Sequence, residues 1–576
     1  INSKKSNREN IGPLKVDKIL IDDDKSVAET LNMFFSSVFT KEDLDNVPNI
    51  AKIKDNIDDL QNINFTSEVV KKKLIKVKPF SAPGPDGINP RVLVELSDEL
   101  CVPLAFIFNK SMSEGCIPTD WKIANVTPIF KKGSKLKPDN YRPVSLTSVI
   151  CKVMESLIRD DIIQHLSINN LIFSSQHGFM ARKSCLTNLL EYLETLTDLI
   201  DQGHSVDVIY LDFAKAFDKV PHARLKVTLE AHGISGDILN WITGWLSDRK
   251  QRVVLNGERS DWLPVTSGVP QGSVLGPTLF VIFINPIDRL IVRLSAILSK
   301  FADDTKVGSI VNNESDSAVL QEIINILSNW ADEWQMTFNS TKCKVMHLGR
   351  RNPRFNYTMG GHAPAGTVLE VVEQEKDVGV IISSDLKPSA QCNTAVKKSN
   401  QLLGRMARSF TYRNKSTWIS LYKVYIRPHL EYAVQAWSPW TQKDINLLED
   451  VQRRVIRMTS GLKGGSYEDK LKEVGLQSLE NRRLRGDMIQ TWKILHNHDD
   501  VIESTWFTRL NHIANRATRL SAGIYNIQLK HANLETRRNF FSLRVTNSWN
   551  SLPDSMKEAI SLNSFKNLYD SFINAP

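Results

Sequence analysis

The sequence predicts an α+β protein whose last third is helical, and three observations carry that prediction. Strand signals crowd into residues 205–390, with helical patterns between them. Carboxylates stand at the ends of two of those strands. Beyond residue 390 the pattern turns almost entirely helical and basic: residues 391–576 hold 28 Lys plus Arg against 16 Asp plus Glu, a net +12, where residues 1–390 carry −3. Mixed strands and helices with acidic strand ends indicate an α+β catalytic core.

Composition bounds the rest. A chain of 576 residues, 41% hydrophobic and 24% charged, is globular; at roughly 100–200 residues per domain it has material for about three to five domains or subdomains, and disordered and collagen-like classes are excluded. Its longest apolar runs, Val102–Phe108 and Leu279–Ile284, fall far short of the roughly 18 residues that span a bilayer, so a soluble chain with no membrane partner is expected. The opening INSKKSNREN has basic residues but no apolar segment behind them and is not a secretory signal; a start at Ile is expected of an excerpt from a longer product. The six cysteines lie far apart without a CxxC pair, and the twelve histidines form no HExxH pattern. Reduced intracellular thiols fit better than disulfides or a zinc site.

Five stretches are expected in order. Residues 1–78 form a helix-prone lead-in, amphipathic over Val27–Phe39 and basic over Lys71–Lys78, closed by the Pro/Gly break Ser81–Gly87 (SAPGPDG). Residues 79–204 alternate helical patterns with a strand-like Ala124–Phe130 and the basic turn Lys131–Lys135. In residues 205–390 the runs SVDVIYLDF, RVVLNG, SAILSKFA and VGVIIS are strands, separated by helical patterns at Ala223–His232 and Ser317–Trp334. Residues 391–464 and 465–576 are helical, with cations clustered at Lys397–Lys398, Arg405, Arg408, Arg453, Arg454, Arg457, Arg482, Arg483 and Arg485 among Trp418, Tyr422, Tyr425 and Trp437. That pattern reads as a polyanion-binding face, or as the solvated faces of ordinary helices.

The acidic strand ends carry the chemistry. The apolar run Val208–Leu211 feeds into Asp212, and two strand-like segments flank Asp303–Asp304, as in a hairpin whose tip presents adjacent carboxylates. Neighbouring carboxylates repel, and oxygen-liganded divalent cations, magnesium above all, are the usual remedy. Two such ions serve phosphoryl transfer. Between the two acidic sites lies SGVPQGSVLGP, Ser267–Pro277, a Gly-rich loop against which a substrate can pack.

These residues resemble the reverse transcriptases of non-LTR (LINE) retrotransposons, the jockey-like branch in particular. The blocks SAPGPDG, VTPIFKKG with NYRPVSL, QHGFMARKSC, LDFAKAFDKV, SGVPQGSVLGP, FADD, and STKCKVMHLG with KDVGVII recur in family order, and LYKVYIRPHLEYAVQAW, LLEDVQRRVIRM and FFSLRVTNSWNSLP extend the likeness almost to the end. The resemblance implies a right-hand polymerase: fingers and part of the palm in 79–204, palm in 205–390, a helical thumb in 391–464 and a basic helical extension in 465–576. It implies an RNA-directed DNA polymerase extending a primer 3′-hydroxyl with dNTPs on an RNA template, in target-primed reverse transcription. Asp212, Asp303 and Asp304, with the backbone carbonyl of Phe213, would hold two Mg²⁺ ions, for which Mn²⁺ can substitute. Lys131 or Lys132, Arg142, Phe217, Gln271 and Gly272 would line the nucleotide site, Phe217 as the gate against a ribose 2′-hydroxyl. Lys342, with Lys344 competing, would protonate pyrophosphate, and Arg405, Arg408, Arg453, Arg454 and Arg457 would grip template RNA and primer or target DNA. The family implies an intracellular protein, nuclear during integration and cytoplasmic as a ribonucleoprotein; the upstream endonuclease of complete elements is not expected in this chain. Departures are Phe301 for the commoner Tyr, Arg182 for Gly and Pro286 for Asp. They leave open a copy that binds nucleic acid with its chemistry lost.

Overall fold

A computed structural model of the chain describes residues 11, 13–294, 296–360, 366–462, 464–510 and 523–573. The opening INSKKSNREN, Ser295 of SAILSKFA, and residues 511–522 and 574–576 of the last stretch lie outside them. The chain divides into two compact units, each assembled from separated stretches. One takes the chain up to Phe179, Asp212–Arg293 and Asn325–Asn339; the other takes Met180–Leu211, Leu294–Ile324 and the chain from Ser340 onward.

The first unit is built on a five-stranded sheet. Ile123–Phe130 pairs antiparallel with Tyr141–Leu146 and parallel with Arg249–Leu255, which also takes Glu258–Arg259 and Leu263–Val265. Ala124, Val126 and Pro128 alternate inward, the period-two pattern of a half-buried strand. The helix Asp24–Ser37 covers this sheet. The Asp23 carboxylate caps it by accepting the Ser26 N–H at 2.8 Å. Its Val27, Ala28, Leu31 and Phe35 join Val126, Tyr141, Val253 and Leu255 in one core, and each large side chain so buried contributes roughly 1.5–3 kcal/mol. The lead-in is therefore part of the fold it precedes. The helix Gly276–Ile284 is apolar all round and buried at every position except Pro277, as a helix in the middle of a core must be. It ends before Pro286, and the chain turns into the short helix Ile287–Ile291.

The second unit holds the other five-stranded sheet, in the order Glu370–Val371, Lys344–Leu348, Val206–Leu211, Asp304–Ile310, Ile297–Phe301. All its pairings are antiparallel except the first. The helix Cys185–Asp201, opened by a capping box between Ser184 and Thr187, packs on it. Val206, Val208 and Met346 share one core with Leu189, Trp418, Tyr422, Trp437, Trp492, Phe541, Trp549 and Phe565. The last helices are thus built on the same hydrophobic mass as the sheet. Among the described residues no helix is long and apolar enough to cross a membrane. All six cysteines are free thiols, with Cys101, Cys151, Cys343 and Cys392 buried.

Candidate functional site

In the first unit three sequence blocks are laced together through their backbones. The loop SGVPQG binds the segment LDFAKAFDKV: the Val269 N–H donates to the Phe217 carbonyl at 2.8 Å, the Gly268 N–H to the Val220 carbonyl at 2.8 Å and the Ser267 hydroxyl to the Asp218 carbonyl at 2.8 Å. Gly268 has φ +85°, and a Cβ there would lie 2.6 Å from the carbonyl oxygens of Phe217 and Asp218. The loop also binds NYRPVSL, since the Ser145 N–H donates to the Gln271 carbonyl at 2.7 Å. Gly272, φ +116°, would put a Cβ 2.5 Å from the Ser145 carbonyl oxygen. Its missing side chain lets the loop reach the strand that carries Arg142.

The side chains follow from this lacing. Phe217 stacks on Phe280, centroids 4.4 Å apart and planes 14° from parallel, and meets the edge of Phe179 at 6.1 Å. The Gln271 amide nitrogen donates to the Asp218 carboxylate at 2.7 Å. Burial pushes the Asp218 carboxyl above the usual carboxylate range, offset by that hydrogen bond and by the positive charges of Lys215 and Arg142. Arg142 is exposed on Tyr141–Leu146; Lys131 and Lys132 are exposed in the turn after Ile123–Phe130, where the Lys131 N–H donates to the Asn140 carbonyl at 2.8 Å. Asp218, Gln271 and Ser145 line a small pocket with Phe35, Pro143 and Val265.

Also in this unit, Asp212 and Phe213 run beside Thr337–Asn339. The Asn339 N–H donates to the Asp212 carbonyl at 2.8 Å and the Ala214 N–H to the Thr337 carbonyl at 2.8 Å, while the Phe213 ring stacks on Phe338 at 4.3 Å. Those backbone bonds use the carbonyl of Asp212 and the amide of Ala214, not the Phe213 carbonyl.

In the second unit the strands Ile297–Phe301 and Asp304–Ile310 form the expected hairpin. Asp304 pairs with Phe301 across a two-residue turn, Ala302–Asp303, in which Ala302 takes the left-handed φ of +57°. Thr305 stands opposite Leu211, the last residue of the neighbouring strand. Asp303 is half-buried and Asp304 exposed. Two successive carboxylates are hard oxygen donors, the kind magnesium takes, and Asp212 is a third of the same chemistry. Among the described residues no group of three His, Cys, Asp or Glu side chains is drawn together as a metal cluster. Lys342 is exposed in the turn before Lys344–Leu348; Lys344 donates to the Thr341 carbonyl at 3.0 Å and forms an ion pair with Glu370.

The basic clusters of the second unit separate into two kinds. Lys397, Lys398, Arg405 and Arg408 on the helix Ser389–Ser409 and Arg454 and Arg457 on Gln442–Met458 are exposed, and the two helices pack together. Arg453 is bound at 3.0 Å to Asp450 and lies over the Tyr467 ring. Arg482 pairs with Glu431, Arg485 with Asp570, and Arg483 is buried. Those three are therefore not the docking cations their clustering suggested.

Three groups around these sites carry no sequence signal of their own. Asp218 is one. A second is Glu155, fully buried, whose carboxylate accepts the N–H groups of Val274 at 2.7 Å and Leu275 at 3.2 Å and so fixes the loop beyond Gly272. The third is Lys306, buried two residues after Asp304, which forms an ion pair with the buried Asp377 of KDVGVII and lies over the Tyr192 ring at 4.4 Å. A motif reading marks Asp218 and Asp377 only as members of their blocks.

Residues 129–402 match the family model described as reverse transcriptase (RNA-dependent DNA polymerase). The chain is 26% identical over 408 residues to the RNA-directed DNA polymerase from mobile element jockey of Drosophila melanogaster, covering 69% of this chain and 44% of that protein. It is 28% identical over 412 residues to the jockey polymerase of Drosophila funebris, with the same shares covered. It is 26% identical over 401 residues to the probable RNA-directed DNA polymerase from transposon X-element of Drosophila melanogaster, covering 68% of this chain and 43% of that protein. The chain thus spans less than half the length of these curated relatives.

Proposed function

We propose that the chain is a reverse transcriptase of the jockey-like, non-LTR retrotransposon kind, as its similarities support, and that it extends the 3′-hydroxyl of a DNA primer with dNTPs on an RNA template, in target-primed reverse transcription. The observation that carries the reading is the backbone lacing in the first unit, which gathers Arg142, Phe217, Gln271 and Gly272 from three separate blocks. An exposed guanidinium, a half-exposed aromatic ring and an amide around one loop suit a nucleoside triphosphate: Arg142, with Lys131 or Lys132, takes phosphate charge, and Phe217 faces the sugar, where its bulk bars a 2′-hydroxyl. Polymerases of this kind use divalent metal ions. Asp212, Asp303 and Asp304 would hold two Mg²⁺ ions, which when bound lower the pKa of the primer hydroxyl and neutralise charge on the departing pyrophosphate. Lys342, in its exposed turn, supplies the proton to the leaving group. Arg405, Arg408, Arg453, Arg454 and Arg457 bind backbone phosphates of template and primer, with affinity falling as salt rises. The right-hand division into fingers, palm and thumb and the intracellular, partly nuclear location belong to the same proposal.

The experiment is incorporation of dNTPs against rNTPs on a primed RNA template with Mg²⁺, for the wild type and Asp303→Asn. Selective dNTP incorporation, abolished by the substitution while primer–template binding persists, is the expected result. Full activity of Asp303→Asn, or rNTP incorporation at the dNTP rate, overturns the proposal.

A further inference from the structure

We infer that the exposed rings of Phe410, Tyr412 and Tyr425, set among the cations of the helix Ser389–Ser409, form a stacking platform for unpaired bases of the single-stranded RNA template. The inference rests on the proposed reading of those cations as phosphate ligands, and it adds what they hold: a strand gripped by its bases as well as by its backbone.

Helical spacing sorts the side chains of this surface. On Ser389–Ser409, Cys392, Val396, Ser399 and Leu403 recur at three- and four-residue intervals and are buried, while Lys397, Lys398, Gln401, Arg405 and Arg408 fall on the opposite side and are exposed. At 1.5 Å per residue the stripe from Lys397 to Arg408 runs about 16 Å. A run of short helices follows, Lys415–Leu421, Tyr422–Ile426 and Arg427–Glu431, and the last two pack against Ser389–Ser409. Their aromatics divide in the same way. Trp418 and Tyr422 go to the core, whereas Tyr425 is 57% exposed. Tyr425 stands one turn before His429, whose imidazole is held below its usual pKa by burial and then by the charge of Lys398. The cation stripe thus reaches the helix that carries the ring.

Between the two helical stretches lies the turn 410–414, where Phe410 is 41% and Tyr412 74% exposed. Its backbone is fixed. The Phe410 N–H donates to the Met406 carbonyl at 2.9 Å, the Ser460 N–H to the Arg413 carbonyl at 2.8 Å, and the Arg413 guanidinium to the Ala407 carbonyl at 2.8 Å while lying over the Trp418 ring at 5.3 Å. Rings presented from a fixed backbone have little freedom left to lose on binding.

An exposed ring gains from a ligand with a flat apolar face, and exposed guanidinium and ammonium heads gain from phosphate. Every nucleotide carries both. In a duplex the base faces are already spent on one another, so only unpaired bases leave a face for Phe410, Tyr412 and Tyr425. In the proposed reaction the RNA template is the strand that stays unpaired until it is copied, whereas the primer enters paired. Because every base has a π-face, such a platform is indifferent to sequence, as copying requires.

The test is equilibrium binding of the full chain, over a range of salt, to four primer–template duplexes: blunt, with an unpaired RNA template tail, with the same tail built of abasic nucleotides, and with an unpaired tail on the DNA strand. Tyr412→Ala and Tyr425→Ala should each raise Kd for the RNA-tailed duplex about 5- to 150-fold, keep the salt slope, and leave the blunt and abasic duplexes bound as by the wild type. Tyr412→Phe keeps the ring and should bind as the wild type does. Arg405→Ala/Arg408→Ala should weaken every duplex and lower the salt slope by about 2. Equal losses on natural and abasic tails, or no loss in either Tyr→Ala variant, overturn the inference, and the phosphate reading stands as long as the arginine variant lowers the slope. A loss confined to the DNA-tailed duplex overturns the assignment to the template. An arginine variant with the wild-type slope overturns the phosphate reading and the inference with it.

Discussion

Replacing Arg537 by Met should destabilise the second unit by about 3–5 kcal/mol, because it strands a buried carboxylate. The Arg537 guanidinium and the Glu194 carboxylate are each only 4% exposed and lie 2.6 Å apart. Arg537 also donates to the Thr197 hydroxyl at 3.1 Å, and the Ser542 hydroxyl donates to Glu194 at 2.6 Å. Without Arg537, Glu194 keeps a single neutral donor for a charge that has left water. Asp198, 3.5 Å from Arg537 and half exposed, is solvated and adds little. Against a typical total stability of about 5–15 kcal/mol the loss is large. Removing both charges with Glu194→Met/Arg537→Met should cost far less, since no unpaired charge remains. The assay is native-state hydrogen exchange of amides in Cys185–Asp201 and Phe541–Asn550 as urea is raised, which reports this unit's own opening free energy. A single variant that loses less than about 1 kcal/mol, or a double variant as unstable as the single, would refute the reasoning.

Two further outcomes follow from burial. His232 is fully buried, its Nδ1 donates to the Thr228 carbonyl at 2.7 Å and its Nε2 accepts from the Asn285 amide nitrogen at 2.9 Å, and burial pulls its pKa down to about 4. Unfolding restores an ordinary imidazole, so its contribution is full above about pH 6.5 and is lost progressively as pH falls toward 4, in total about 3 kcal/mol; urea midpoints measured from pH 7 to 4 should fall, and should fall less in His232→Gln. Deleting residues 465–576 removes Trp492, Phe541, Trp549 and Phe565 from the core they share with Val206, Val208 and Met346; limited proteolysis should therefore cut the truncated chain within 185–211, and a truncated chain as resistant there as the full one would show the last helices to be dispensable to the sheet.

Much of the fold was legible because periodicity is local. The strand expected at Ala124–Phe130 forms over Ile123–Phe130, the helix expected at Ser317–Trp334 over Glu314–Glu333, and the adjacent carboxylates sit at a hairpin tip. How the segments are grouped was not legible. Met180–Leu211 and Asp212–Arg293 are continuous in sequence yet fall in different units, and the amphipathic Val27–Phe39 gives no hint that its apolar stripe is spent on Val126 and Val253, which lie far beyond it in sequence. Pairings at such separations are decided by shape and volume, which hydrophobic spacing does not encode.

The candidate site shows the same division more sharply, because a motif names residues that face a ligand and passes over those that aim them. Phe217, Gln271 and Gly272 stand out by block, whereas Asp218, Glu155 and the Lys306–Asp377 pair act through contacts between blocks. Charge misleads for a related reason. A net +12 counts Arg405 and Arg457, exposed on their helices, equally with Arg485 and Arg544, which are ion-paired to Asp570 and Asp487. Only cations with solvent-facing heads can exchange counterions for phosphates. On the proposed reading, nucleic-acid affinity would follow the number of exposed cations on the paired helices Ser389–Ser409 and Gln442–Met458, and the ion pairs Arg485–Asp570 and Arg544–Asp487 belong to the unit's stability.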